Sequence, residues 1–179
     1  MPWISGNYHF TREESENNAP LIWAALQSHF TLEAVSGMMG NMQSESGLNP
    51  GIWENLDEGN LNGGLGLVQW TPASKLIEWA GGDYLDGDKQ CQRIIWELEN
   101  GVQWYATDEY PVSFQEFAQS KESPSLLADM FLKNYERPAD PNQPIRGVQA
   151  LEWYEFLGGI SPPTPTPSKF KWIYYLKKF

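Results

Sequence analysis

At 179 residues the chain is long enough to bury a sizeable core and short enough that one domain should account for most of it. A net charge of −11 argues against nucleic acid as a partner, because phosphate binding depends on Lys and Arg. One cysteine and two histidines exclude an intrachain disulfide framework and a Cys/His zinc site, so neither metal nor cofactor is expected.

Thr11-Arg-Glu-Glu14 is a capping box that opens a first helix, with Leu21, Ile22, Ala25 and Leu26 on its apolar side. Pro20 is awkward inside a helix, which moves the expected start towards Asn18, with the proline in the first turn. Thr31 caps a second helix whose apolar face runs through Leu32, Val35, Met38, Met39 and Met42. Glu45 continues that stripe, three residues beyond Met42.

From Gly47 to Trp70 the periodicity disappears. Asn49-Pro50-Gly51, Asp57-Glu58-Gly59-Asn60 and Asn62-Gly63-Gly64 are turn signals, and Leu65 to Gln69 suggests a short strand in a small hairpin. Thr71-Pro72 then reads as a cap and first helical position, for a helix reaching about Gly81. Further helices are predicted over 88–100, 113–120, 124–135 and 144–157, with capping signals at Ser113-Phe-Gln-Glu116 and Ser123-Pro124 and a stop at Gly158-Gly159. Cys91 falls inside the first of these and reads as inert packing rather than as a nucleophile.

The pattern is that of an α+β, mostly helical protein with a small β-hairpin region. Residues 1–159 form the expected catalytic domain. Residues 160–168 are a Pro-rich linker, an extended spacer. Residues 169–179 are a cationic, aromatic tail, better suited to a docking strand or the start of another module than to membrane contact. No 18-residue apolar run and no basic-plus-apolar leader occurs, so no spanning helix or secretory signal is expected.

Chemistry points first to Glu45. A carboxyl at the end of an apolar stripe is pushed towards its neutral form by desolvation and by the negative end of the helix dipole. A protonated carboxyl near neutral pH is what a general acid for glycoside cleavage requires. The nine Trp add a hint, since flat rings stack on sugar faces, although most should fill the core. A helix, a glutamate, a small polar hairpin and then more helices is also the layout of lysozyme-like folds.

The local sequence is more specific. Gly40-Asn-Met-Gln-Ser-Glu-Ser-Gly-Leu-Asn-Pro50, followed by Gly64-Leu-Gly-Leu-Val-Gln-Trp-Thr71, resembles the phage tail lysozyme family. The likeness is to the N-terminal lysozyme-like domain of tail-tip wall-degrading proteins of short-tailed phages that infect Gram-positive bacteria. Trp53–Gly59, Arg93–Glu97, Tyr135-Glu-Arg-Pro138 and Pro141-Asn-Gln-Pro144 resemble the same group, so the likeness spans about residues 18–157.

The resemblance implies cleavage of peptidoglycan glycan strands, with Glu45 as catalytic acid. In larger proteins of this type a zinc peptidase domain follows; here two isolated histidines cannot supply one, and that activity is not expected from this chain. For the second carboxylate Asp57 is the first candidate, with Glu54 and Glu58 as rivals. A retaining hydrolase wants it about 5 Å from the acid and an inverting one about 6.5–9.5 Å.

Asn41, one turn before Glu45, could orient it. Gln69 offers a donor and an acceptor to a sugar, beside glycines that would let a glycan approach. Trp70 either stacks on a sugar or closes the core. Tyr135 and Glu136 are expected to shape the cleft, with Glu136 pairing to Arg137 or Arg146. The leading reading is a muramidase, with a lytic transglycosylase or a non-catalytic tail or wall-binding module as alternatives. Partners would be wall glycan and other virion tail proteins, and the setting a phage virion acting on the host wall, or alternatively an endolysin.

Overall fold

The computed structural model describes residues 2–158. The expected linker at 160–168 and the tail at 169–179 lie outside the described residues. Seven α-helices occur among the described residues: α1 (Arg12–Leu26), α2 (Leu32–Ser46), α3 (Ser74–Ala80), α4 (Gly87–Asn100), α5 (Phe114–Ala118), α6 (Pro124–Phe131) and α7 (Ile145–Phe156).

The capping signals act as expected. Thr11 with Glu14, and Ser113 with Glu116, form reciprocal capping boxes, while Thr31 and Ser123 accept from the backbone N–H three residues on. The expected shift of the first helix to Asn18 is overturned. α1 runs unbroken from Arg12 with Pro20 inside it. The Thr11 cap fixes its start, and buried Ala19, Ile22 and Leu26 hold the turns around the proline.

α2 is the central helix and packs against α6 and α7, which also pack on each other. Ten of its fifteen residues are buried, from Ala34 to Met42 and again at Ser46. Two glycines on it set the spacing. A Cβ at Gly37 would lie 2.8 Å from Leu127 Cβ on α6, and one at Gly40 would overlap the backbone of Arg146 and Ala150 on α7. Such close approach places polar groups of α7 directly over the C-terminal half of α2. α1 and α3 pack on α4.

The expected hairpin is a correction. No sheet occurs among the described residues; the segment 47–73 is an irregular loop with two isolated antiparallel bridges, Trp53–Leu65 and Leu65–Trp70. Strand pairing cannot propagate because Asn55, Leu56 and Gln69 adopt φ of 54°, 58° and 49°, in the left-handed region that strands do not use. The loop is fixed by side chains instead. Gln90 of α4, fully buried, accepts from Leu67 N–H at 2.8 Å and donates to the carbonyls of Pro50 and Tyr84, both at 2.7 Å. The helix predicted from Thr71-Pro72 starts later, at Ser74, after a cis Thr71–Pro72 bond.

The helix predicted over 124–135 divides. α6 ends at Phe131 and passes into a π-helical turn, Leu132–Glu136. The wider turn carries Tyr135 and Glu136 to the same cavity as the end of α2. Widened turns of this kind recur at functional sites.

Candidate active site

α2 ends at Ser46, with Gly47 as a left-handed cap at φ 66°. Glu45 therefore projects from the last turn, beside a cleft of about 460 Å³, within the range of small-ligand sites. Its walls are the end of α2, the loop around Trp53-Glu54-Asn55 and Gly64, the stretch Val68–Thr71, and the turn Tyr135–Pro138. His9, Lys75 and Gln103 complete the lining.

Glu45 is held from the far side of the fold. Its Oε1 accepts a 2.6 Å bond from Nη2 of Arg146, whose side chain is only 6% exposed. The other guanidinium nitrogens are also committed: Nη1 donates to Asn41 Oδ1 at 3.1 Å and Nε to Gln143 Oε1 at 2.7 Å. Asn41 in turn donates to the carbonyls of Gly37 and Ala128. A backbone-anchored amide thus fixes an arginine, and the arginine fixes the carboxyl.

Three carboxyl groups line the cleft: Glu45, Glu54 and Glu136. Glu54 is exposed on the loop wall and accepts from Gly64 N–H at 2.8 Å. Glu136 is half-buried as a residue, yet its Oε1 is sealed from solvent and has no hydrogen-bond partner. Burial, and then the neighbouring charge of Glu45, push its carboxyl well above the ordinary range, against the pull of Arg146.

Residues 17–157 match the sequence profile that defines the phage tail lysozymes. The chain belongs to the phage tail lysozyme family. It is also 47% identical over 161 residues to morphogenesis protein 1 of Bacillus phage B103, an alignment covering 88% of this chain and 44% of that relative. The chain therefore spans under half the length of that curated relative. Together these relationships make it a phage tail-associated, lysozyme-like protein.

The predicted residues divide by position. Glu45, Gln69, Trp70, Tyr135 and Glu136 line one cleft. Asp57 does not; it is exposed, accepts from Asn60 Nδ2 at 3.1 Å, and is absent from the cleft lining. Its neighbour Glu54 lines the cleft instead, because the tight turn at Asn55-Leu56 separates the two side chains. Asn41 is fully buried and cannot meet a glycan from the cleft. It reaches Glu45 only through Arg146, as a positioning residue.

Trp70 and Tyr135 are 3% and 1% exposed, so both close the core beneath the cleft. The Trp70 indole donates to Oε1 of Glu97 at 3.0 Å, and the Tyr135 hydroxyl donates to Oε2. Arg93 supplies a third bond to Glu97, at 2.8 Å. Burial raises the Glu97 carboxyl despite these donors. Gln69 spends its amide N–H groups on the carbonyls of Ile52 and Gly66.

Gly64 lines the cleft, and both it and Gly66 are closely packed by glutamine side chains. The space beside Gly64 is taken by Gln69 and that beside Gly66 by Gln90. The expected pairing of Glu136 is overturned: among the described residues it has no ion pair, because Arg146 binds Glu45 and Arg137 donates to the carbonyls of Gln103 and Asn134.

Sequence reasoning missed Arg146 as the partner of Glu45, and Glu97 as the hub under the floor. A signal for Arg146 existed. It is the lone basic residue of the apolar-periodic stretch 144–157, and such a cation needs a partner if it is buried. Among the described residues no three His, Cys, Asp or Glu side chains cluster as a metal site.

Proposed function

We propose that this chain is a muramidase-type glycosidase that cleaves the glycan strands of bacterial peptidoglycan, acting from a phage tail on the host wall. The observation that carries the reading is the placement of Glu45. It stands at a cleft wall, fixed by Arg146 at 2.6 Å, across a cavity whose loop wall bears Glu54. Two carboxyls on separate walls are the minimum apparatus for acid-assisted glycoside cleavage. Glu45 protonates the departing oxygen, and Glu54, rather than the outlying Asp57, receives the proton of the attacking water. The virion setting rests on the family and on a relative named for phage morphogenesis.

The test is clearing of purified cell walls by wild type, Glu45→Gln and Glu54→Gln, with the released sugars identified. Glu45→Gln should abolish clearing, and Glu54→Gln should slow it by about a hundredfold or more, as losing a general base does. Reducing ends formed with water identify a hydrolase; 1,6-anhydro sugars formed without it identify a transglycosylase. Undiminished clearing by Glu45→Gln would remove the assignment.

A further inference from the structure

Glu136 has no role in the two-carboxyl scheme just given, yet one of its carboxyl oxygens is sealed from solvent with no hydrogen-bond partner. The two arginines whose charge acts on it are engaged elsewhere. Arg146 bonds Glu45, Asn41 and Gln143, and Arg137 bonds two carbonyls. An ionised carboxylate with an unpartnered, sealed oxygen is disfavoured in such a place. The charge of Glu45 adds to that cost, and that of Glu97 adds further. The neutral form of Glu136 is therefore favoured, while Arg146 is engaged with Glu45.

We propose that Glu136, which lines the same cleft as Glu45, is the proton store of that cleft, so that the proton reaching the glycosidic oxygen through Glu45 is drawn from Glu136. The inference rests on the glycosidase reading for its catalytic half only. In the step, Glu136 first passes its proton to Glu45, and Glu45 then gives that proton to the departing oxygen as the C–O bond breaks. Water adds to the sugar and loses its proton to Glu54. The charge left on Glu136 is faced by Arg146 and Arg137, the two cations that favour its ionised form, until solvent returns a proton. His9 and Lys75 are the remaining basic groups on the lining, and both lie in the shared cavity.

Two measurements test it. The first is the pH profile of wall clearing. Glu136→Gln should lower the neutral-pH rate about a hundredfold and move the alkaline limb towards acid, while Glu136→Asp keeps part of that limb. A parallel loss at every pH would indicate a structural role and overturn the proposal. The second needs no activity. Because the folded chain keeps the Glu136 proton after the unfolded chain has released its own, stability should fall as pH rises through and above the ordinary carboxylate range.

Thermal melting from pH 4 to 8 should show that fall in wild type. It should be reduced in Glu136→Gln, leaving the part that belongs to the raised Glu97 carboxyl, and reduced in Glu45→Gln, which removes the neighbouring charge. Carboxyl carbon-13 titration of wild type and Glu45→Gln gives the same answer if Glu136→Gln does not fold. A slope untouched by either variant, or no raised glutamate whose titration responds to Glu45→Gln, overturns the proposal. Wall clearing retained by Glu45→Gln, with the melting slopes as expected, would instead sink the glycosidase assignment and leave the stored proton standing.

Discussion

Arg146 and Glu45 are 101 positions apart in the chain and 2.6 Å apart in the fold. The contact joins α7 to the last turn of α2, and the same guanidinium reaches Asn41 one turn earlier. It is therefore both a tether between helices and the support that fixes the direction of Glu45.

Replacing Arg146 with Met removes the tether and leaves Asn41 Oδ1 and Glu45 without their donor. Breaking a buried pair from one side costs about 3–5 kcal/mol, and the lower end applies because Glu45 keeps some exposure. The expected outcome is a loss of about 3 kcal/mol in denaturant unfolding, together with loss of wall clearing. Arg146→Lys should recover much of the stability but little of the clearing, since an ammonium cannot span Glu45, Asn41 and Gln143 in one plane.

Gly40→Ala attacks the same contact from the backbone. The added Cβ would overlap Arg146 O and Ala150 N, neither of which is a flexible side-chain end. Overpacking of this kind costs about 1–3 kcal/mol, and relief requires α7 to move away, carrying Arg146 with it. Clearing activity should therefore fall more than melting temperature alone explains. Gly82→Ala is the control, since nothing lies near its Cβ position, and it should leave both quantities unchanged.

The helices were legible in the sequence because their signals are local. Thr11, Thr31, Ser113 and Ser123 each act within three residues, and the stripe from Leu32 to Met42 needs only its own period. The loop was not legible for the opposite reason. Leu65–Gln69 has strand-like composition, but Gln90 from a later helix and left-handed residues at 55, 56 and 69 dictate its path. Glu45 could be found from its stripe and its surrounding motif. Its support could be read only in part: a lone basic residue in 144–157 marks Arg146 as needing a partner, but no spacing in the chain names Glu45, 101 residues away.

Tyr135→Phe tests the hub below the cleft. The hydroxyl is one of three donors to Glu97, with Arg93 and Trp70, and the ring itself stacks on Phe131 with centroids 4.3 Å apart. Phenylalanine keeps the stack and deletes one charge-assisted bond, which should cost about 1.5–3 kcal/mol. Near-neutral unfolding energetics in Tyr135→Phe would show that Glu97 is satisfied without it. Because Tyr135 shares the π-helical turn with Glu136, the variant should also weaken wall clearing at neutral pH.

Gln90 supports the wall that bears Glu54. It accepts from Leu67 N–H and donates to the carbonyls of Pro50 and Tyr84, so Gln90→Ala strands two buried backbone groups and a part-buried one. Each stranded group costs about 1–3 kcal/mol, and a total near 4 kcal/mol is expected after local relaxation. Gln90→Glu separates hydrogen bonding from volume. It keeps the acceptor for Leu67 but turns the donor towards Pro50 and Tyr84 into a second acceptor, so it should destabilise at least as much as alanine. If glutamate were tolerated at neutral pH, the loop would be held by shape rather than by these bonds. In a folded but loosened variant, Glu54 loses its fixed distance from Glu45, and clearing should fall while Glu45 and Arg146 remain paired.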